Sequence, residues 1–127
     1  MSITTAERVQ EAKARVENLD PDRTARQLAD GALVVDIRES AERETSGAIP
    51  GAVHVPRGLL EFKADPTMST HMAELDPVRR TILYCASGGR SALAVLTLQE
   101  LGYTDVAHLD GGITAWLAAG RPVEFAE

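Results

Sequence analysis

The chain has 127 residues, 44% apolar, 25% charged and 4% aromatic, with 13 Lys and Arg against 19 Asp and Glu for a net charge of −6. That length suits one compact domain; no basic stripe points to nucleic acid, no apolar run reaches the ~20 residues of a membrane span, and the first eight residues lack the regions of a secretory signal. A single cysteine permits neither an internal disulfide nor a thiolate zinc site, so a reducing, cytoplasmic setting without metal or cofactor is expected.

In chain order, Thr5–Arg15 is predicted as a helix, with Ala6, Val9, Ala12 and Val16 at helical spacing. A short extended piece over residues 16–19 follows. Asp20 is a good N-cap and Pro21 fits the first helical position, so a helix should run to about Ala29 and stop at Gly31. Ala32-Leu33-Val34-Val35 reads as a strand buried on both faces. A short charged helix from Glu39 to Glu44, a turn-rich link from Gly47 to Ala52 and a short strand Val53-His54-Val55 come next. Gly58 to Phe62 is read as a helical turn, and the stretch from Ala64 to His71 as irregular loop. Thr81-Ile82-Leu83-Tyr84 is a second buried strand, Arg90 to Leu101 a helix ending at Gly102, Val106-Ala107-His108-Leu109 a last strand and Ile113 to Ala119 a last helix. Residues 1–15 are taken as a helical extension and residues 16–127 as one domain.

Strands alternating with helices imply a three-layer α/β/α sandwich with a mostly parallel sheet. Ligands of such sheets bind outside the carboxyl ends of the strands. Those ends carry Asp36-Ile37-Arg38, Pro56-Arg57-Gly58, Cys85 and Asp110-Gly111-Gly112. The only cysteine, two arginines and a Gly-Gly pair read as flexible therefore share one rim.

The segment Cys85-Ala86-Ser87-Gly88-Gly89-Arg90-Ser91 leaves a strand and enters a helix. Unpaired N–H groups and the positive dipole end of that helix favour an anion, and small residues let several N–H groups point inward. Such a position favours a thiolate or a charged derivative of Cys85. A cation in the first helical turn is disfavoured by the dipole, so Arg90 calls for a reason. It either turns outward to an anionic substrate or inward to brace the loop against an acid such as Glu42.

At these residues the chain resembles the rhodanese-like domains, from about Val16 to Val123. Val34-Val35-Asp36-Ile37-Arg38-Glu39 is similar to the family's strand ending in Asp-x-Arg. Gly47-Ala48-Ile49-Pro50-Gly51-Ala52 is similar to its Gly-His-Ile-Pro-Gly-Ala stretch. Tyr84 to Ser91 resembles its active loop, and Leu109-Asp110-Gly111-Gly112-Ile113-x-x-Trp116 its C-terminal hallmark. The resemblance implies a five-stranded parallel sheet with helices on both sides, the piece at residues 16–19 becoming the first strand. It also implies sulfur transfer through a persulfide on Cys85, with Ala86, Ser87, Gly88, Gly89, Arg90 and Ser91 as the binding loop. The donor would be thiosulfate or a persulfide, and the acceptor cyanide, glutathione, a thioredoxin-like dithiol or a sulfur-carrier protein. Asp36, Arg38, Glu42 and Arg57 are candidates for a supporting layer.

Four residues separate Cys85 from Arg90; phosphatases and arsenate reductases of the related fold have a loop longer by one, and Tyr84 stands where tyrosine-phosphatase loops carry His. A phosphatase or arsenate reductase is therefore the lesser reading, beside a sulfur-carrier module with little turnover of its own. Ala48 replaces the family's usual His, the stretch from Asp36 to Gly47 is one residue longer than the commonest version, and residues 57–77 are expanded. That segment is expected to overhang the rim, with Arg57 and Phe62 as candidates for lining the site; Phe62 as a loop-anchoring core residue and Arg57 as a solvated charge remain open. Asp36 is expected either to hydrogen-bond the active loop or to cap the following helix. His54 and Trp116 are read as structural, His71 as a solvated loop residue, and His108 as a strand residue near the rim with no companion at metal-ligand spacing. With no second cysteine, a persulfide on Cys85 has to be passed to an outside acceptor.

Overall fold

The computed structural model describes residues 2–126. A capping box opens α1 (Thr5–Arg15): the Glu7 N–H donates to the Thr4 hydroxyl, and the Thr4 N–H donates to the Glu7 carboxylate. β1 (Glu17–Leu19) follows at once. The Arg23 N–H donates to the Asp20 carboxylate and Pro21 takes the first turn, which starts α2 (Pro21–Ala29) as the sequence predicts. β2 (Leu33–Asp36) runs one residue past the apolar stretch, because Asp36 still pairs with Tyr84 and His54. Next come α3 (Ser40–Ser46), β3 (Val53–His54), a 3-10 turn (Arg57–Leu59) and α4 (Leu60–Ala64). β4 (Thr81–Tyr84), α5 (Gly89–Glu100), β5 (Val106–Leu109) and α6 (Gly112–Ala118) complete the order.

The strands form one sheet in the order β1-β5-β4-β2-β3, and every pairing is parallel. β2, β4 and β5 are buried along their whole length, which is why they read as mainly apolar, without the alternation of a half-exposed strand. Side chains alternate between two faces. Leu33, Val35, Leu83, Cys85 and Val106 join Leu60 of α4 and Ala94, Val95 and Leu98 of α5 in one cluster. Val34, Ile82, Tyr84, Ala107 and Leu109 join Ile113 and Trp116 of α6, with Ala25 and Leu28 of α2 against them, in the other. α1 packs on α5 through the buried Ala12, so it covers the face that holds Cys85.

Residues 57–77 are anchored in the core. Leu60, Ala64 and Leu75 are fully buried in the Cys85 cluster, and the Tyr103 hydroxyl donates to the Ala64 carbonyl at 2.8 Å. Phe62 is 51% exposed on α4, so it neither anchors the segment nor belongs to the core. Leu60 and Ala64, four residues apart on one face of α4, take the buried side, and Phe62 midway between them falls on the opposite face.

Candidate active site

Because all pairings are parallel, the C-terminal strand ends meet, and Cys85 is the first residue past β4. Its side chain is 1% exposed, and its Sγ accepts the Gly88 N–H at 3.2 Å. Gly88, in the left-handed region at φ +103°, turns the chain into α5. The loop is held from the opposite side by α6, whose first-turn amides donate to it: Ile113 N–H to the Cys85 carbonyl at 3.0 Å and Thr114 N–H to the Ala86 carbonyl at 3.1 Å. Gly112 lies at φ +56°, and any Cβ there would collide with both of those carbonyls. The Gly-Gly pair read as flexible is thus a rigid close contact, and it lets a helix end dock on the cysteine loop.

Arg90 takes the inward course of the two considered. Its Nη1 and Nη2 donate to the two Glu42 oxygens at 2.9 and 2.8 Å, tying the loop to α3. That bidentate bond holds the Glu42 carboxyl down at about 2, against a smaller opposing effect of burial, and raises Arg90 in turn. Cys85 also contributes to the rise of Arg90, which places that cation within electrostatic reach of the sulfur.

Asp36 does not cap α3; the residue that caps it is Glu39. Of the stretch from Tyr84 to Ser91 it reaches only Tyr84, through that residue's hydroxyl. Its buried carboxylate accepts from the Arg38 N–H and Nε, both at 3.0 Å, from Arg38 Nη2 at 2.8 Å, from Arg43 Nε at 3.1 Å and from the Tyr84 hydroxyl at 2.8 Å. Burial would raise its pKa, but these donors outweigh it and hold the carboxyl below its usual range. Arg38 is fully buried and continues to the Gly47 carbonyl at 2.7 Å, while the Ile49 N–H donates to the Tyr84 hydroxyl at 3.1 Å. The Asp-x-Arg pair therefore pins α3 and the link behind it, and so positions Glu42 for Arg90. Arg57 is not drawn toward Cys85: it bonds Glu61 at 2.8 Å and Thr97 of α5 at 3.2 Å.

His108 is the residue whose place the sequence reading missed. Its Nδ1 lies 2.8 Å from Ser91 Oγ, which lies 3.6 Å from Cys85 Sγ, and its Nε2 lies 2.6 Å from Asn18 Oδ1. Strand parity held the signal: His108 pairs with Leu83 on one side and Asn18 on the other, and Leu83 and Cys85 share a face. Burial draws the His108 pKa down to about 4, with Asp110 pulling up and Lys13 pulling down more weakly. Lys13 of α1 bonds Asp110 at 3.0 Å at the edge of the loop, a contact no local motif announces. His54 and His71 bond the Arg38 and Leu75 carbonyls at 2.6 and 2.7 Å, and Trp116 Nε1 donates to the Pro122 carbonyl at 2.8 Å.

A shallow cavity of about 380 Å³ abuts the loop between α3 and α6, lined by Arg38, Glu42, Thr45, Ala86, Ile113 and Thr114. A second, of about 360 Å³, lies between α3 and the C-terminal tail around Phe125 and shares no lining residue with the cysteine loop. Among the described residues no helix is long and apolar enough to cross a membrane.

A protein of Allochromatium vinosum named sulfurtransferase is 36% identical over 110 residues, 85% of this chain and 94% of that one. A Rhodopseudomonas palustris structure, described as of unknown function and a possible tyrosine phosphatase, has a TM-score of 0.90 at 35% identity, covering 98% of this chain and 96% of that chain. The polysulfide-sulfur transferase homodimer of Wolinella succinogenes has a TM-score of 0.76 at 28% identity, covering 95% of this chain and 87% of that one. The sequence pattern of the rhodanese-like domain matches residues 20–119, a span that contains the cysteine loop, its Glu42 brace and the α6 amides that hold it, and the chain belongs to the rhodanese-like domain family.

Proposed function

We propose that this protein is a sulfurtransferase that moves sulfane sulfur from a small donor to a thiol or cyanide acceptor through a persulfide on Cys85. The observation that carries the reading is the Cys85 sulfur at a strand end, under the Gly88 N–H at 3.2 Å and inside a loop that opens α5. The Cys85 thiolate attacks the outer sulfur of a donor such as thiosulfate. The donor's S–S bond breaks, sulfite leaves with the electron pair, and the sulfur remains on Cys85. An acceptor nucleophile then attacks that terminal sulfur and Cys85 departs as thiolate. Two-step transfer of this kind predicts ping-pong kinetics. The loop amides meet the anionic sulfur without a base.

The chain holds a single cysteine, so the acceptor comes from outside it, and a thioredoxin-like or sulfur-carrier protein fits that role. A lone free thiol suits a reducing, cytoplasmic setting. Residues 16–127 form the transferring unit, and the α1 extension covers the α5 side of it.

The likeness to the Rhodopseudomonas structure favours a second reading, phosphate-ester hydrolysis. Against it, both terminal nitrogens of Arg90 are held by Glu42, whereas an oxyanion needs that fork free. Purified protein given thiosulfate should gain the mass of one sulfur, cyanide should remove it, and folded Cys85→Ala should gain none. No gain from thiosulfate or persulfide donors would overturn the proposal. Cys85-dependent cleavage of aryl phosphates without a sulfur gain would replace it with the second reading, and a full gain without turnover on small acceptors would narrow it to a carrier.

A further inference from the structure

The chain of contacts from Cys85 Sγ to Ser91 Oγ (3.6 Å), His108 Nδ1 (2.8 Å) and Asn18 Oδ1 (2.6 Å) has a direction, and its far end sets it. The Asn18 amide nitrogen donates to two carbonyls, Lys13 at 2.8 Å and Val16 at 3.1 Å, so the amide oxygen is the atom that faces His108. An amide oxygen only accepts. His108 Nε2 therefore carries the ring proton and Nδ1 presents a lone pair. Ser91 has one proton, and Nδ1 is its shortest acceptor; the Gly88 carbonyl lies at 3.4 Å.

With that proton committed, Ser91 turns only lone pairs toward the sulfur. It accepts a bond from an S–H and has nothing to donate to a thiolate. The sulfur's own lone pair meanwhile accepts the Gly88 N–H. A thiol is thus satisfied on both sides, whereas an ionised sulfur meets the Ser91 oxygen lone pair.

We infer that the Asn18–His108–Ser91 chain opposes ionisation of resting Cys85, which makes His108 and Asn18 positioning residues that set how readily the attacking thiolate forms. The inference rests on the reading of Cys85 as the sulfur-bearing group and adds how that group is restrained. The surrounding charges leave the polarity in place. Burial keeps His108 neutral near pH 7, since Asp110 after β5 and Lys13 on α1 oppose one another and bond each other. Arg90 of α5, paired with Glu42 of α3, still interacts with Cys85, so its charge works against the chain and in favour of the ionised sulfur. The restraint protects a lone thiol from alkylation and oxidation between sulfur loads.

The test is the pH profile of iodoacetamide alkylation of Cys85 in the full chain, read by its midpoint, which access to the sulfur does not alter. Ser91→Ala and His108→Phe are each expected to move the midpoint about 0.5–1 unit lower and to speed alkylation at pH 7 about 3- to 10-fold. Because His108 acts through Ser91, the double variant should shift no further than Ser91→Ala alone. Ser91→Ala removes one oxygen, so it keeps the test decisive even where His108→Phe fails to fold. A midpoint that rises in Ser91→Ala would mean that the hydroxyl donates to the thiolate, and an unchanged midpoint would mean that it does neither; both overturn the inference. Alkylation uses no sulfur donor, so a protein that fails to load sulfur yet shows the lowered midpoints sinks the proposed function and leaves this restraint standing.

Discussion

Replacing Asp36 by Asn keeps the shape of a fully buried side chain and removes its charge. In the native protein three side chains, Arg38, Arg43 and Tyr84, donate to that carboxylate at 2.8 to 3.1 Å. An amide offers one oxygen where two accept now, and turns an NH₂ toward guanidinium groups. Arg38 is itself fully buried and would keep its charge without a counter-ion. Removing one partner of a buried pair costs about 3–5 kcal/mol, a large share of the roughly 5–15 kcal/mol that holds a domain together. Melting should fall by about 10–15 °C. Urea unfolding followed by the sole tryptophan, Trp116 in the α6 core, reads the loss directly. The pH dependence has a definite sign. The folded carboxyl sits below its usual range, so its contribution is present above the unfolded pKa and disappears as pH falls through the folded one. Asp36→Asn should therefore flatten the acid side of the stability curve, below about pH 4. A loss under about 1 kcal/mol with an unchanged m-value would refute the hub, because it would mean that Arg38 is solvated or neutralised in some other way.

Two further perturbations separate the brace from the clamp. Glu42→Gln breaks the charge pair with Arg90, whose members are 34% and 41% exposed, so stability should drop by at most about 1 kcal/mol; sulfur loading in single turnovers should nevertheless slow by up to about tenfold as the loop loses its tie to α3. Gly112→Ala forces a side chain into the left-handed region against the Cys85 and Ala86 carbonyls, and denaturant titration should show a cost of at least about 2 kcal/mol together with loss of loading.

Much of the fold was legible because its elements obey local rules. Asp20-Pro21 starts α2 where capping chemistry says it must, and the unbroken apolar runs at Leu33 and Thr81 are what doubly covered parallel strands require. The cysteine loop was legible for a similar reason, since a strand end, small residues and a helix start follow one another in sequence. What escaped was set by register and parity. Asp36 looked like a cap because it precedes a helix, yet its partners include Tyr84, 48 positions away. His108 drew no role because it has no companion at metal-ligand spacing, yet the β4–β5 register sets it beside the residue that shares a face with Cys85. Residues 57–77 carry no turn signal that distinguishes a lid from a tethered segment; burial of Leu60 and Leu75 decides it.

Taken together these contacts explain why an arginine stands in the first turn of α5, where a helix dipole disfavours it. Its charge is answered by Glu42, and Glu42 is placed by α3, which Asp36 and Arg38 pin from behind. From the other side the α6 amides hold the Cys85 and Ala86 carbonyls. The loop is therefore gripped at both ends, and the Gly88 N–H on the sulfur keeps its orientation without rearranging when charge develops on Cys85. Fixed dipoles of this kind stabilise an anion more effectively than mobile ones, since the cost of orienting them was met on folding. Arg90 thus serves the chemistry first by holding the loop's shape, and its charge, within electrostatic reach of Cys85, adds to what the backbone offers the sulfur.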